Sequence, residues 1–493
     1  MGAGNFISVG FLTAACAWIG PFAFGQTAEV RAIDAAAAAL GGKARILALK
    51  TWVMEGSGVN PNIGQNPRPE APLNNWHVLE YNRSFDLANG RMRIEQHRIA
   101  DFESVSATDV RRTFGIDGDV AYNIGPNGAM QRAAAEATAE RRIEMLTTPI
   151  TAIRAALNIA NKIENYRKTQ TTQYIDITTV LGDKLVLAID AKTNLPQSVS
   201  WKTSNENLGD VLFTTTFSDY ENVDGVRVPT HYLTTMNFRS WVIADMHITK
   251  NTIDGETGDI SASAAVKGSP VPPPPVIRVE AQPVAKGIWW MAGSGDARSI
   301  LFEFDDHLTL FEAPTSEARS KAVIDKARET VPNKPLTEVI VSHHHFDHTG
   351  GLRTAVAEGL TVISHLGNEA IFREMTSRPA TVKPDLLASS GQRLTFRGMD
   401  DQLILKDRSM EVVLYQVKDN PHAALLIMAF VPRDNILVQG DLMDVSWTQH
   451  PWASNYAKNL EMRKIDFAKD LPVHGKIASH AEELAALQGM KKN

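Results

Sequence analysis

At 493 residues, with 43% hydrophobic and 22% charged side chains, the chain has ordinary globular composition and is too long for one ordinary core, which predicts two or three domains. The formal net charge of −6, with no basic cluster or long like-charge run, argues against a nucleic-acid groove and leaves a small-molecule substrate as the expected partner.

The first 25 residues carry no charged side chain and end in Ala23-Phe24-Gly25 before Gln26, with small residues where a signal peptidase reads. This predicts a secretory signal over 1–25 and a periplasmic or secreted mature chain. The alternative is an uncleaved N-terminal anchor, because about 20 apolar residues can span a bilayer. The only cysteine, Cys16, lies in this segment; Thr13-Ala14-Ala15-Cys16 faintly resembles a lipoprotein box, but Thr13 stands where Leu is usual. A mature chain without cysteine has neither disulfides nor thiolate metal ligands, so any metal must be held by His, Asp or Glu. No second stretch is long and apolar enough for a membrane helix, so no stable insertion is expected after cleavage.

The leading half, 26–266, opens on an Ala-rich helical stretch that stops at Gly41-Gly42. Short strand-like runs follow, punctuated by the turn pairs Asn89-Gly90, Asp117-Gly118 and Asp224-Gly225. Residues 211–217 and 226–235, rich in Thr, Val, Phe and Tyr, read as strands, and one helical insertion is expected over 133–160. The expected architecture is a mostly antiparallel β domain with helical cover. Asp190-Ala191-Lys192-Thr193-Asn194-Leu195-Pro196 and Asp219-Tyr220-Glu221-Asn222-Val223-Asp224-Gly225 resemble segments of periplasmic lipoprotein-carrier-like sheets. His77, His97, His231 and His247 are scattered singly, and no catalytic constellation is visible in this half.

Five of the six residues at 270–275 are proline, which favours stiff polyproline II and predicts a linker over 267–280. The trailing half, 281–493, alternates strands and helices. Residues 287–292, 299–304 and 307–311 read as strands, and 316–331 as a helix capped by Thr315 or Ser316 and ended by Pro332. A β-branched run at 338–342 then delivers the chain into Ser342-His343-His344-His345-Phe346-Asp347-His348-Thr349-Gly350-Gly351.

Four histidines and an aspartate within six residues are too dense to be packing residues. After an extended strand alternate residues point the same way, so His343 and His345 can share one metal while Asp347 and His348 reach a second. Imidazole and carboxylate are what Zn²⁺ accepts when thiolate is absent. More ligands are needed, and three candidates sit at strand ends: His422 after Asn420-Pro421, Asp441 after Gln439-Gly440, and His474 before Gly475. His344 points opposite to its neighbours and is expected to support or pack. His365 and His450 are expected to be structural.

The order H-x-H-x-D-H, then His, then Gly-Asp, then His-Gly resembles the metallo-β-lactamase superfamily across the trailing half. The resemblance implies an αββα sandwich and two Zn²⁺ per chain. His343, His345 and His422 would bind metal one, Asp347, His348 and His474 metal two, and Asp441 would bridge them. Glu312-Ala313-Pro314 departs from the family, where aspartate followed by glycine is common.

The implied activity is hydrolysis of an ester, lactone or amide, β-lactams included. A hydroxide shared by metals about 3.5–4 Å apart would attack the carbonyl, with Asp347 as the catalytic residue that orients it. Alternatives are an iron-dependent oxidoreductase on the same fold, or a periplasmic carrier with a zinc site. Trp447, Trp452 and Tyr456 are expected to form an apolar substrate wall, and 375–399 a lid.

Overall fold

The computed structural model describes Met1 and residues 26–490. The predicted signal segment, with Cys16, lies outside the described residues. Among those described, no helix is long and apolar enough to cross a membrane.

Thirteen antiparallel strands between Thr51 and Ile253 form one sheet. The first strand, Thr51–Pro61, lies inside it, paired on one side with Asn75–Asp86 and on the other with the last strand, Trp241–Ile253. Trp52 pairs with Ile253, so the chain closes on itself in register. Helices Ala28–Ala39 and Pro149–Leu157 bury Ile33, Ala36, Ile150 and Ile153 against Trp52, Phe85, Leu187 and Val199 of the sheet. The expected single helical insertion is two helices, Ala135–Met145 and Pro149–Leu157. Pro149 forces the break: the residue before proline is pushed out of the helical region, and Thr148 is extended and caps the second helix through Thr151 N. Between the sheet and helix Ala135–Met145 lies a cavity of about 860 Å³, walled by Tyr81, Trp201, Phe213, Tyr232 and Met246.

Residues 279–490 form an αββα sandwich. A seven-stranded sheet runs from Val279–Ala285 to Thr395–Met399, and a six-stranded sheet from Gln402–Lys406 to Ala478–Ser479. Their inner faces share one apolar core, in which Ile300, Phe302 and Ile340 meet Val412, Leu414 and Val438. Helices Glu317–Thr330, Leu352–Ala357 and Glu369–Ser377 cover the outer face of the first sheet. Helices Ala453–Arg463 and His480–Met490 cover the second.

The sheet of the leading half and the sandwich are joined by more than the linker. Asp210 accepts hydrogen bonds from Thr381 N and Val382 N, both at 2.9 Å, while its own N–H donates to Pro379 O at 2.7 Å. Arg378 donates to Leu208 O and Asp210 O. The expected lid over 375–399 is therefore corrected. It contains helix Leu386–Ser390 and strand Thr395–Met399, and residues 378–382 are pinned to the leading sheet because the buried Asp210 carboxylate near a strand start needs polar partners.

Candidate metal centre

Strand Leu336–Ile340 runs parallel to its neighbours and ends where 341–345 crosses to the second sheet; there Ser342 O accepts from Ile427 N at 3.0 Å. A single helical turn, Phe346–Thr349, then points Asp347 and His348 back at the strand end. Gly350 is needed for that reversal, since a Cβ there would lie 2.1 Å from the Thr315 carbonyl oxygen. In the second sheet, Ile436–Gln439 and Lys469–Pro472 are parallel with Gln439 opposite Pro472. Both therefore end at the same edge, and the residues just beyond them, Asp441 and His474, arrive side by side.

The seven candidate ligands gather into two groups that share Asp441. Ligand atoms of His343, His345, His422 and Asp441 all lie within 4.8 Å of one another, and so do those of Asp347, His348, Asp441 and His474. Asp441 Oδ2 is 2.8 Å from His422 Nε2 and 3.5 Å from His343 Nε2, while its Oδ1 is 3.3 Å from His474 Nε2. His348 Nε2 is 3.1 Å from both oxygens. Asp347 Oδ2 is 3.3 Å from His474 Nε2 and 3.5 Å from His348 Nε2. His343, His345 and His348 are fully buried, whereas Asp347 is 36% exposed, so the centre opens on the Asp347 side.

The donor set suits a metal. His343 Nε2 and His345 Nδ1 are buried and have no hydrogen-bond partner, a costly state for protein alone and the normal state of a lone pair aimed at a cation. Burial pushes His343 down to about 3 and His345 well below the usual range, which keeps both imidazoles in the neutral, ligating form. His348 behaves oppositely: burial works against its charge, but the Asp441, Asp347 and Glu312 carboxylates hold it well above the ordinary histidine value. Burial likewise opposes the Asp441 charge, and His348 and His474 overcome it and hold the carboxyl well below its usual range.

Supporting contacts hold the ring orientations. Ser342 Oγ lies 2.9 Å from His343 Nδ1, and Glu312 Oε1 lies 3.4 Å from His348 Nδ1. Glu312 is fully buried and also accepts from Ser342 N at 3.0 Å, so the departure from the family at this position keeps a carboxylate behind His348. His344 is buried with neither ring nitrogen partnered, and His365 uses Nδ1 to cap Gly367 N.

Two contacts come from the leading half, in which the sequence shows no catalytic constellation. The loop 62–74, between strands Thr51–Pro61 and Asn75–Asp86, reaches the centre. Gln65 Nε2 donates to Asp347 Oδ1 at 2.8 Å, and the Asn66 carbonyl oxygen is 3.0 Å from His345 Nε2. Nothing in the local sequence signals this. The contacts span 282 and 279 residues.

Of the aromatic residues expected to line a substrate wall, Trp452 lies tilted over His422 and Trp447 packs edge-on against Trp452. Tyr456 is corrected: it is buried away from the centre, its hydroxyl 3.1 Å from Glu483 Oε2. His231 and His247, scattered in sequence, stack across neighbouring strands with Asp245 beside them, on the leading sheet and outside this centre.

Residues 293–368 match the metallo-beta-lactamase superfamily. The matched segment contains the run His343-His344-His345-Phe346-Asp347-His348. Two curated relatives, both from Pseudomonas sp, match part of the chain. A linear primary-alkylsulfatase is 33% identical over 75 residues, 15% of this chain and 11% of that protein. An (R)-specific secondary-alkylsulfatase is 31% identical over 71 residues, 14% of this chain and 11% of that protein. The matched segment thus spans about a tenth of either relative. Similar solved structures include a metallo-beta-lactamase from Pseudomonas aeruginosa in a mono-zinc form, 14% identical, covering 44% of this chain and 97% of that one with a TM-score of 0.35. Another, from Pontibacter korlensis, is 15% identical and covers 44% and 100%, with a TM-score of 0.34.

Proposed function

We propose that this protein is an exported, zinc-dependent hydrolase that binds two metal ions per chain and cleaves an ester, lactone or amide. The observation that carries the reading is the pair of four-residue groups sharing Asp441, an arrangement suited to two cations rather than to one closed structural site. Divalent ions held there supply an acidified water and Lewis acidity toward a substrate oxygen.

The chain's own residues do the rest. Asp347 faces the open side with Oδ1 held by Gln65 Nε2, so its carboxylate is fixed where Oδ2 would help hold the second cation and orient a water beside it. The buried walls formed by Trp452 and His343 exclude bulk water and strengthen every charge interaction inside. Sulfate esters are a second substrate class, favoured by the alkylsulfatase names of both curated relatives. The carrier reading draws on the cavity of about 860 Å³ between the leading sheet and residues 382–383, whose walls combine apolar Trp201, Phe213 and Met246 with charged Arg83, Glu140 and Lys202 and suit an amphipathic ligand.

Metal analysis of the purified full chain by mass spectrometry, paired with a chromogenic cephalosporin, an aryl ester, an acyl lactone and an alkyl sulfate, tests the proposal. About two zinc ions per chain, and turnover that falls at least about a hundredfold in Asp441→Ala, is the expected result. One iron per chain with no hydrolysis overturns it in favour of the oxidoreductase.

A further inference from the structure

An imidazole that binds a cation through one nitrogen carries its proton on the other, and a protein oxygen facing that N–H fixes both tautomer and ring. His343 finds its oxygen next door in Ser342 Oγ, and His348 finds one in Glu312. His345 finds it 279 residues away, in the Asn66 carbonyl at its Nε2, while Nδ1 stays buried and unpartnered. Asp347 shows the same division of labour: Oδ1 accepts from Gln65, and Oδ2 faces His348 and His474. Two consecutive loop residues thus engage the two ligand atoms that point away from the metal positions.

The loop is built to hold still there. Its ends are tied by Asn62 N donating to Asn74 O at 2.7 Å, and Asn74 Nδ2 donates to Gln65 O at 3.0 Å. The Asn66 side chain is fully buried and donates to the Arg68 and Ala71 carbonyls. The loop also docks by backbone on both sides of the centre: Phe346 N donates to Gly64 O at 3.2 Å, and Ala424 N to Pro67 O at 2.9 Å.

We propose that loop 62–74 is a structural part of the metal centre, resting on the metal-binding reading above. Asn66 holds His345 as the Nε2–H tautomer so that Nδ1 ligates at metal one, and Gln65 holds Asp347 so that Oδ2 ligates at metal two. Both are positioning residues, and the leading half is a component of the active site rather than a separate binding module.

Stepwise cobalt titration of the full chain, followed by the visible Co²⁺ spectrum, tests this with Gln65→Leu, which removes the donor to Asp347, and Asn66→Ala, which keeps the carbonyl but removes the side-chain bonds to the Arg68 and Ala71 carbonyls that hold it against His345; circular dichroism and the thermal midpoint report folding. Gln65→Leu keeps side-chain bulk and removes the donor. The expected result is a roughly tenfold weaker Kd for one cobalt step in Gln65→Leu, with an unchanged midpoint, and for the other step alone in Asn66→Ala, each with an altered spectrum. Steps within about twofold of wild type overturn the inference, as does equal weakening of both steps together with a lowered midpoint, which marks a folding role only. The readout does not depend on the reaction. Shifted cobalt steps in a chain that hydrolyses nothing uphold this inference and sink the hydrolase, whereas a wild type that binds no cobalt overturns both.

Discussion

The indole of Trp452 lies over the imidazole of His422, ring centroids 4.7 Å apart and planes tilted by 31°. The same indole donates its Nε1–H to the Asp441 backbone carbonyl. One buried side chain therefore braces two candidate ligands that reach the centre from different strands.

Replacing Trp452 separates those functions. Trp452→Phe keeps a ring against His422 and leaves the Asp441 carbonyl without its donor, costing about 1–3 kcal/mol. Trp452→Ala also opens a cavity and is expected to cost about 3–5 kcal/mol. Urea denaturation gives both values, and metal analysis of the same samples is expected to show loss of bound metal in the alanine variant first.

Gly64 has φ +72° and its missing Cβ would lie 2.3–2.6 Å from the Phe346 ring. Gly64→Ala meets both a left-handed backbone penalty of about 1–2 kcal/mol and a clash beside His345 and Asp347. We expect lower thermal stability and weaker metal affinity together. Retained affinity in a stably folded variant would show that the loop tolerates displacement.

Asp210 is 3% exposed and holds Thr381 N, Val382 N, Thr381 Oγ1 and the Lys202 ammonium. Burial opposes its charge, and Lys202 with the Thr381 and Val382 amides overcomes it, holding the carboxyl well below its usual range. Asp210→Ala strands those donors at the contact between the leading sheet and the sandwich, at a cost of about 2–4 kcal/mol. Limited proteolysis is expected to cut the variant near 378–385 and spare wild type.

Glu483 gives a pH signature away from the metal centre. Burial pushes it up from 4.5 to about 7, against the opposing hydrogen bonds with Asp470 and Tyr456. Between those values the folded chain holds a proton that the unfolded chain has released. Its contribution therefore falls as pH rises from 4.5 to about 7 and is level above that. Glu483→Gln is expected to match wild type near the lower end of that window and exceed it above the upper end by on the order of 2 kcal/mol. Equal denaturation midpoints at high pH would rule this out.

Much of the trailing half is legible from local pattern. The β-branched run into His343, the Ser316-capped helix and the short strands before Asp441 and His474 are periodicities and caps that a few neighbouring residues determine. The helical insertion over 133–160 is two helices rather than one because Pro149 pushes Thr148 out of the helical region. Tyr456 lies off the expected wall because closeness to a ligand in sequence does not determine which face of its helix meets the core.

By itself, the sequence determined which residue types can hold a metal and that cysteine is not among them outside 1–25, because ligand chemistry belongs to the side chain. It also determined that the candidates stand at strand ends, because strand and turn preferences are local. Only the tertiary structure decided that Glu312 stands behind His348 and that Gln65 and Asn66 reach Asp347 and His345. Those are contacts between segments up to 282 residues apart. They are fixed by parallel register, by the crossing of 341–345 between two sheets and by the docking of the leading sheet, none of which leaves a trace in the spacing of the residues that meet.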